Sequence, residues 1–205
     1  MTEFETLLEE SAKVHGHLCA GQVLGVRMSM LGLRMVGISD PKGKDRKSII
    51  VYVEMDRCAT DAVQSVTGCS LGRRTMRFLD YGKMAATFLN TKTGKAVRVA
   101  AREDSRVRAQ ELFPEAEDRH RAQADAYRVM PAQELFDIME VVVTLRPEDM
   151  PGRPLRRVRC ECCGEHVQDM REVFQDGRIL CISCASGGYY EVKSFFSGVR
   201  YAEKS

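Results

Sequence analysis

Two sets of residues in this chain have the types and spacing to hold a metal ion. The first is His15-Gly16-His17-Leu18-Cys19, three nitrogen or sulfur donors within five residues. In an extended segment positions i, i+2 and i+4 point to one side, so both imidazoles and the thiol would converge; in a regular helix only His15 and Cys19 would share a face. Gly16 between the histidines favours a bend over a helix interior. Cys58 and Cys69 are the other two cysteines before residue 160, and both fall where a regular element should end, so the expectation is one cleft holding His15, His17, Cys19, Cys58 and Cys69. A mixed imidazole and thiolate set suits Zn(II) and also admits Fe(II) or Ni(II). The plain alternative is a loop with two solvated histidines and a small buried cysteine.

The second set is Cys160, Cys163, Cys181 and Cys184, two CxxC pairs with seventeen residues between them. Each pair is a knuckle that turns two thiolates onto one tetrahedral ion, and four thiolates close the site to chemistry, so zinc here is structural. Cys162 is an odd fifth thiol whose role the spacing does not give.

Other side chains accompany the first set. Asp61 lies three residues after Cys58 and could orient a histidine or act as a base; its plain role is a carboxylate at a helix N-terminus, offsetting the dipole. Arg73, with Arg74 and Arg77, could bind an anionic ligand, against the plain reading of a solvated basic face. Cys58, Asp61 and Cys69 are therefore the catalytic candidates, and Arg73 is the ligand-binding candidate. His120 and His166 read as surface residues.

The elements that must place these groups follow from periodicity. Phe4, Leu7, Leu8 and Ala12 keep helical spacing, and so do Leu24, Met28, Leu31 and Met35 after the histidine turn. Gly21, Gly25 and Gly32 make a second stripe on that helix, a surface for close packing. Residues 48–55 (SIIVYVEM) form a β-branched strand with Cys58 just past its carboxyl end. A short helix then closes at Gly68, with Cys69 next. Residues 83–89 and 96–101 read as a hairpin, residues 103–126 as a polar helix broken at Pro114, residues 132–139 as a short helix and residues 140–145 as a last strand. Strands with helices grouped around them, without a βαβ repeat, argue for an α+β core with a mixed or antiparallel sheet. Residues 151–154 (PGRP) read as a linker, which gives a core domain over 1–150 and a finger domain over 155–205.

Composition narrows the function. The formal net charge is +2, so bulk electrostatics give no argument for nucleic acid. With 44% hydrophobic and 29% charged residues the chain has the profile of a globular protein, and no apolar run reaches the roughly 20 residues of a membrane span. The N-terminus is acidic and amphipathic rather than a charged-then-apolar leader, so the expected location is cytoplasmic. Eight cysteines in such a chain point to metal or redox chemistry more than to disulfides.

Taken together, HGHLCAGQVLGVRM, the strand followed by Cys58-x-x-Asp61-Ala62-Val63-Gln64, Thr67-Gly68-Cys69, Asp80-x-Gly82-Lys83 and the terminal cysteine knuckles resemble the FmdE family of formylmethanofuran dehydrogenase subunits, in its longer form. The resemblance implies an α+β core with a histidine/cysteine metal cleft, a C-terminal zinc finger, and a place in or beside a molybdenum or tungsten C1-oxidoreductase complex. Ala20 stands where the family pattern has proline, and Gly72-Arg73 where it has Gly-Lys; neither touches a candidate ligand. Three classes of function follow: a metalloenzyme or part of one, working on a C1 or pterin-type substrate; a metal- or sulfur-handling accessory protein; and a zinc-finger module binding protein or nucleic acid. The last is weakest, because the arginines near the finger are few and no base-reading helix is evident. A homodimer is expected through the glycine stripe.

Overall fold

The computed structural model describes residues 1–194 and divides into two units, Met1–Thr144 and Leu145–Ser205. The first opens with two helices. Helix α1 (Glu3–His15) starts at Thr2, whose hydroxyl accepts the Glu5 N–H, and stops at Gly16, which takes φ 96°, a left-handed value that a side chain would strain. Helix α2 (Ala20–Met35) starts at Cys19. Strand β1 (Ile49–Val53) leads to helix α3 (Cys58–Thr67), which ends at the left-handed Gly68. Then come β2 (Met76–Phe78), β3 (Ala85–Asn90), β4 (Ala96–Ala101), helices α4 (Ser105–Leu112), α5 (Arg119–Val129) and α6 (Ala132–Leu135), and β5 (Phe136–Val141).

The five strands form one mixed sheet in the order β2-β1-β3-β4-β5. Only β1 and β2 run parallel, joined through α3; the other pairs are antiparallel. The α+β expectation holds. Two local readings change. The last strand begins at Phe136, inside the stretch read as helix, because pairing with Ala101 outweighs the local helical pattern. The three-residue β2 carries no alternation of its own and exists through its register with Val51, Tyr52 and Val53.

The core lies where α1, α2, α3 and α5 meet the sheet. Val23, Val26, Met28, Ile49, Val51, Phe88, Val97 and Val99 are fully buried there. The glycine stripe is used inside the chain: a Cβ on Gly25 would sit 2.6 Å from the Ala59 carbonyl oxygen and from the Ala62 Cβ, and one on Gly32 would enter the Phe88 ring. The stripe brings α2 against α3 and the sheet, so it is not a surface for a second copy, and a homodimer would need a different face. Glu54, just past β1, makes two 2.7 Å bonds from the Arg98 guanidinium, and its side chain is 7% exposed.

The second unit is built of short hairpins: β6 (Arg157–Arg159) with β7 (His166–Gln168), and β8 (Val173–Gln175) with β9 (Arg178–Leu180), followed by the one-turn helix α7 (Ile182–Ser186). Asp176 and Gly177 both take positive φ at the tip of the second hairpin, the turn that matches strand twist.

Candidate metal centres

The core site is assembled from the ends of three helices. His15 is the last residue of α1, Cys19 caps α2, and Cys58 opens α3. The turn at Gly16 swings the chain so that His17 returns beside His15, with ring centroids 4.7 Å apart. One donor atom from each of His15, His17 and Cys19 lies within 4.8 Å of the others. Cys58 is placed against Cys19: a point one Cβ bond above Gly21 is 2.9 Å from the Cys58 Cβ and 3.7 Å from the Cys19 sulfur. Burial, and then the neighbouring Cys19 thiol, push the Cys58 thiol up. A cation between the two sulfurs would reverse that balance, since it favours the thiolate.

Three side chains fix this arrangement. Asp61 stands 2.7 Å from His15 Nδ1. Beneath the site runs a buried polar chain: the Ser11 hydroxyl donates to the Gln22 side-chain oxygen, and the Gln22 amide donates to the Cys58 carbonyl at 2.5 Å. Ser11 and Gln22 are fully buried, so the chain ties α1, α2 and α3 together directly below the donors. Neither residue is singled out by sequence, since a serine and a glutamine on amphipathic helices look like surface residues; the one available signal is that Gln22 falls three positions after Cys19.

The donor set fits a divalent ion. Two imidazoles and a thiol, with a second thiol adjoining, are borderline-soft donors, and His17 is exposed while Cys19 and Cys58 are half-buried, so the site opens to solvent. His15 Nε2 is buried and has no hydrogen-bond partner. A buried acceptor in that condition costs about 1–3 kcal/mol, which a metal bond would offset.

Cys69 and Arg73 do not join this point. Cys69 follows the C-cap of α3, a ten-residue helix about 15 Å long, while Cys58 opens it. Cys69 is fully buried, and burial pushes its thiol up, toward the inert form. Arg73 lies at the same far end, where its guanidinium bonds the Gly68 carbonyl at 3.3 Å. A cleft of about 1000 Å³ is lined by residues such as Phe4, Leu7, Met30 and Val66. These lie toward the far ends of the helices, and none of the cluster's donors lines it.

The finger's donors converge as spaced: Cys160, Cys163, Cys181 and Cys184 lie with their sulfurs within 4.8 Å of one another. Gly164, at φ 79°, completes the first knuckle between β6 and β7 and donates its N–H to the Cys160 carbonyl. Burial would push the Cys160 thiol up, but backbone N–H groups of Cys163, Cys181 and Cys162 outweigh it and bring it to about 6. The Cys163 and Cys184 thiols are pushed up in return, so without an ion the cluster holds its negative charge toward Cys160, and a bound cation would draw all four to thiolate. Cys162 is exposed and outside the four, and His166 is exposed.

Comparison with known proteins follows the same division. The family model described as FmdE, Molybdenum formylmethanofuran dehydrogenase operon, matches residues 14–146. The model of the prokaryotic dksA/traR C4-type zinc finger matches residues 153–190. A curated relative from Archaeoglobus fulgidus, described as a probable S-adenosyl-L-methionine-binding protein, is 35% identical over 205 residues, covering 91% of this chain and 54% of its own length. The chain thus spans about half of that relative. The crystal structure of an FmdE-like protein of tungsten formylmethanofuran dehydrogenase type, from Syntrophus aciditrophicus, superposes with a TM-score of 0.60 at 24% identity, over 92% of this chain and 95% of that one. At that identity the likeness is one of fold.

Proposed function

We propose, from the premise that the chain belongs to the FmdE family, that its core holds one divalent ion on His15, His17 and Cys19, with the Cys58 thiol available as a fourth donor. The observation that carries this reading is the convergence of one donor atom each from His15, His17 and Cys19 within 4.8 Å, on a histidine whose Nε2 is buried without a partner. The protein's own residues would do three things at such a site. His15 and His17 bind, Cys19 and Cys58 tune the charge, and the open face admits a small oxygen or sulfur ligand. The ion would supply Lewis acidity there. The setting that fits this chemistry is a molybdenum- or tungsten-dependent C1 oxidoreductase system, with the chain acting as one of its components or beside it. Zinc is the first choice of metal, with nickel or iron as alternatives for the same donors.

A second reading, metal or sulfur handling, is favoured by one observation: the Cys58 and Cys19 thiols adjoin at a solvent-open site. An ion held there exchanges faster than one in a closed four-thiolate cage. Metal analysis of the full chain, purified without added metal, tests both. Two ions per chain, one of them lost in Cys19→Ser, supports a core centre. One ion per chain, unaffected by Cys19→Ser, rules the core centre out. Removal of the second ion by a weak chelator within seconds favours handling over a resident centre.

A further inference from the structure

We infer that Asp61 is a positioning residue of the core centre, which locks the His15 ring in the tautomer that leaves Nε2 free as a donor. The inference rests on the metal reading above and deepens it. An ionised carboxylate only accepts hydrogen bonds, so in the 2.7 Å contact His15 Nδ1–H must donate to Asp61 Oδ2. In a neutral imidazole the other nitrogen is then a bare lone pair. That nitrogen is the one found buried without a partner. Carboxylate and orphan nitrogen lie on opposite sides of one ring, the order of groups in a carboxylate–histidine–metal relay.

The placement of Asp61 on α3 gives the pair its stiffness. Asp61 lies one helical turn after Cys58, so the same helix presents a thiol and the orienting carboxylate on neighbouring positions of one face. The close approach of Gly25 to Ala59 and Ala62 holds that helix against α2, so the carboxylate cannot drift with the histidine. The His15 side chain is 14% exposed, whereas that of Asp61 is 53% exposed. The ring therefore sits inside, and the carboxylate closes it off from outside.

The test uses the full chain with its finger filled by one equivalent of zinc, then titrated with Co(II) and followed by visible absorption. Wild-type protein should take up a second equivalent with a thiolate charge-transfer band. Asp61→Asn keeps every donor, so the band should stay at the same wavelength while affinity falls about 10- to 100-fold; Asp61→Glu should recover part of the loss. Unchanged affinity in Asp61→Asn, whatever its thermal stability, would overturn the inference. Absence of a second equivalent in the wild type would sink the metal reading itself, and the inference with it. If the variants do not fold, 15N shifts of His15 in the wild-type protein decide: a protonated Nδ1 is expected, and a bare Nδ1 would refute the assignment.

Discussion

The finger draws its four donors from 25 consecutive residues, and among its described residues only Cys160 and Leu180 are buried. The core site draws on residues 15–19 and 58, in a unit that buries Val23, Val26, Phe88 and Gln22 fully. In the finger the donors are the core, so three-residue strands persist only because four thiolates share one ion. In the N-terminal unit the apolar packing comes first, and the donors are side chains that two docked helix ends and the turn between them bring together, with Cys58 of a third helix adjoining. The same kinds of atom thus serve as structure in one region and, on the proposed reading, as a site in the other.

The largest effect that can break this contrast is loss of the finger's zinc. Cys163→Ser, or a strong chelator, should unfold residues 153–190, since a structural zinc contributes about 10–16 kcal/mol of binding free energy to such a small fold. Hydrogen exchange should then show full protection in the core and none in the finger; parallel loss in both would end the distinction. Next comes the polar chain under the core site. Gln22→Ala leaves the buried Ser11 hydroxyl without its acceptor and takes from the Cys58 carbonyl the bond it accepts besides its helical one, so core stability should drop by roughly 1–3 kcal/mol, read from urea denaturation of metal-free protein.

Smaller is the Glu54–Arg98 pair, which anchors the strand end leading to Cys58. The Arg98 hydrogen bond holds the Glu54 carboxyl below its usual value. A depressed folded-state value contributes stability that is fully present above the unfolded-state pKa and is lost as pH falls through the folded value. Glu54→Gln should therefore cost about 2 kcal/mol at neutral pH and flatten the acid limb of the stability profile below about pH 4.3. A variant with the wild-type acid limb would show that the pair is not its source. The smallest expected change in stability is for Cys19→Ser in metal-free protein, within about 1 kcal/mol, although that variant should lose the core ion while keeping the finger's. A large apo destabilisation would mean that Cys19 holds the fold rather than a metal.

The sequence was legible where a contact is local. The CxxC spacing marked the finger because each knuckle is made by neighbours in the chain, and Gly16 and Gly68 marked helix ends for the same reason. The His15–Cys19 stretch was legible as a donor set but not in its geometry: His15 leaves a helix end, and only His17 and Cys19 follow the turn. Cys69 illustrates the limit. Its place at an element's end was readable, but which end faces the cluster depends on how α3 docks, and Gly25 decides that through packing. Ser11 and Gln22 were silent because their partners lie on other helices, and β2 because its partner strand alone defines it.

The chain Ser11–Gln22–Cys58 carbonyl has a thermodynamic corollary. It links positions 11, 22 and 58, so the donor geometry above it exists only once three helices have docked, and the unfolded chain offers no preformed equivalent. An ion there binds the native state more tightly than the unfolded chain, which keeps the His15–Cys19 donors but not their geometry, and free metal becomes a variable in the stability of the core. At a free concentration one hundred times the dissociation constant the core gains at most about 2.7 kcal/mol, less whatever the unfolded stretch binds. The melting temperature of the N-terminal unit should thus rise with the logarithm of metal concentration, and the onset of that rise measures affinity without any knowledge of the reaction.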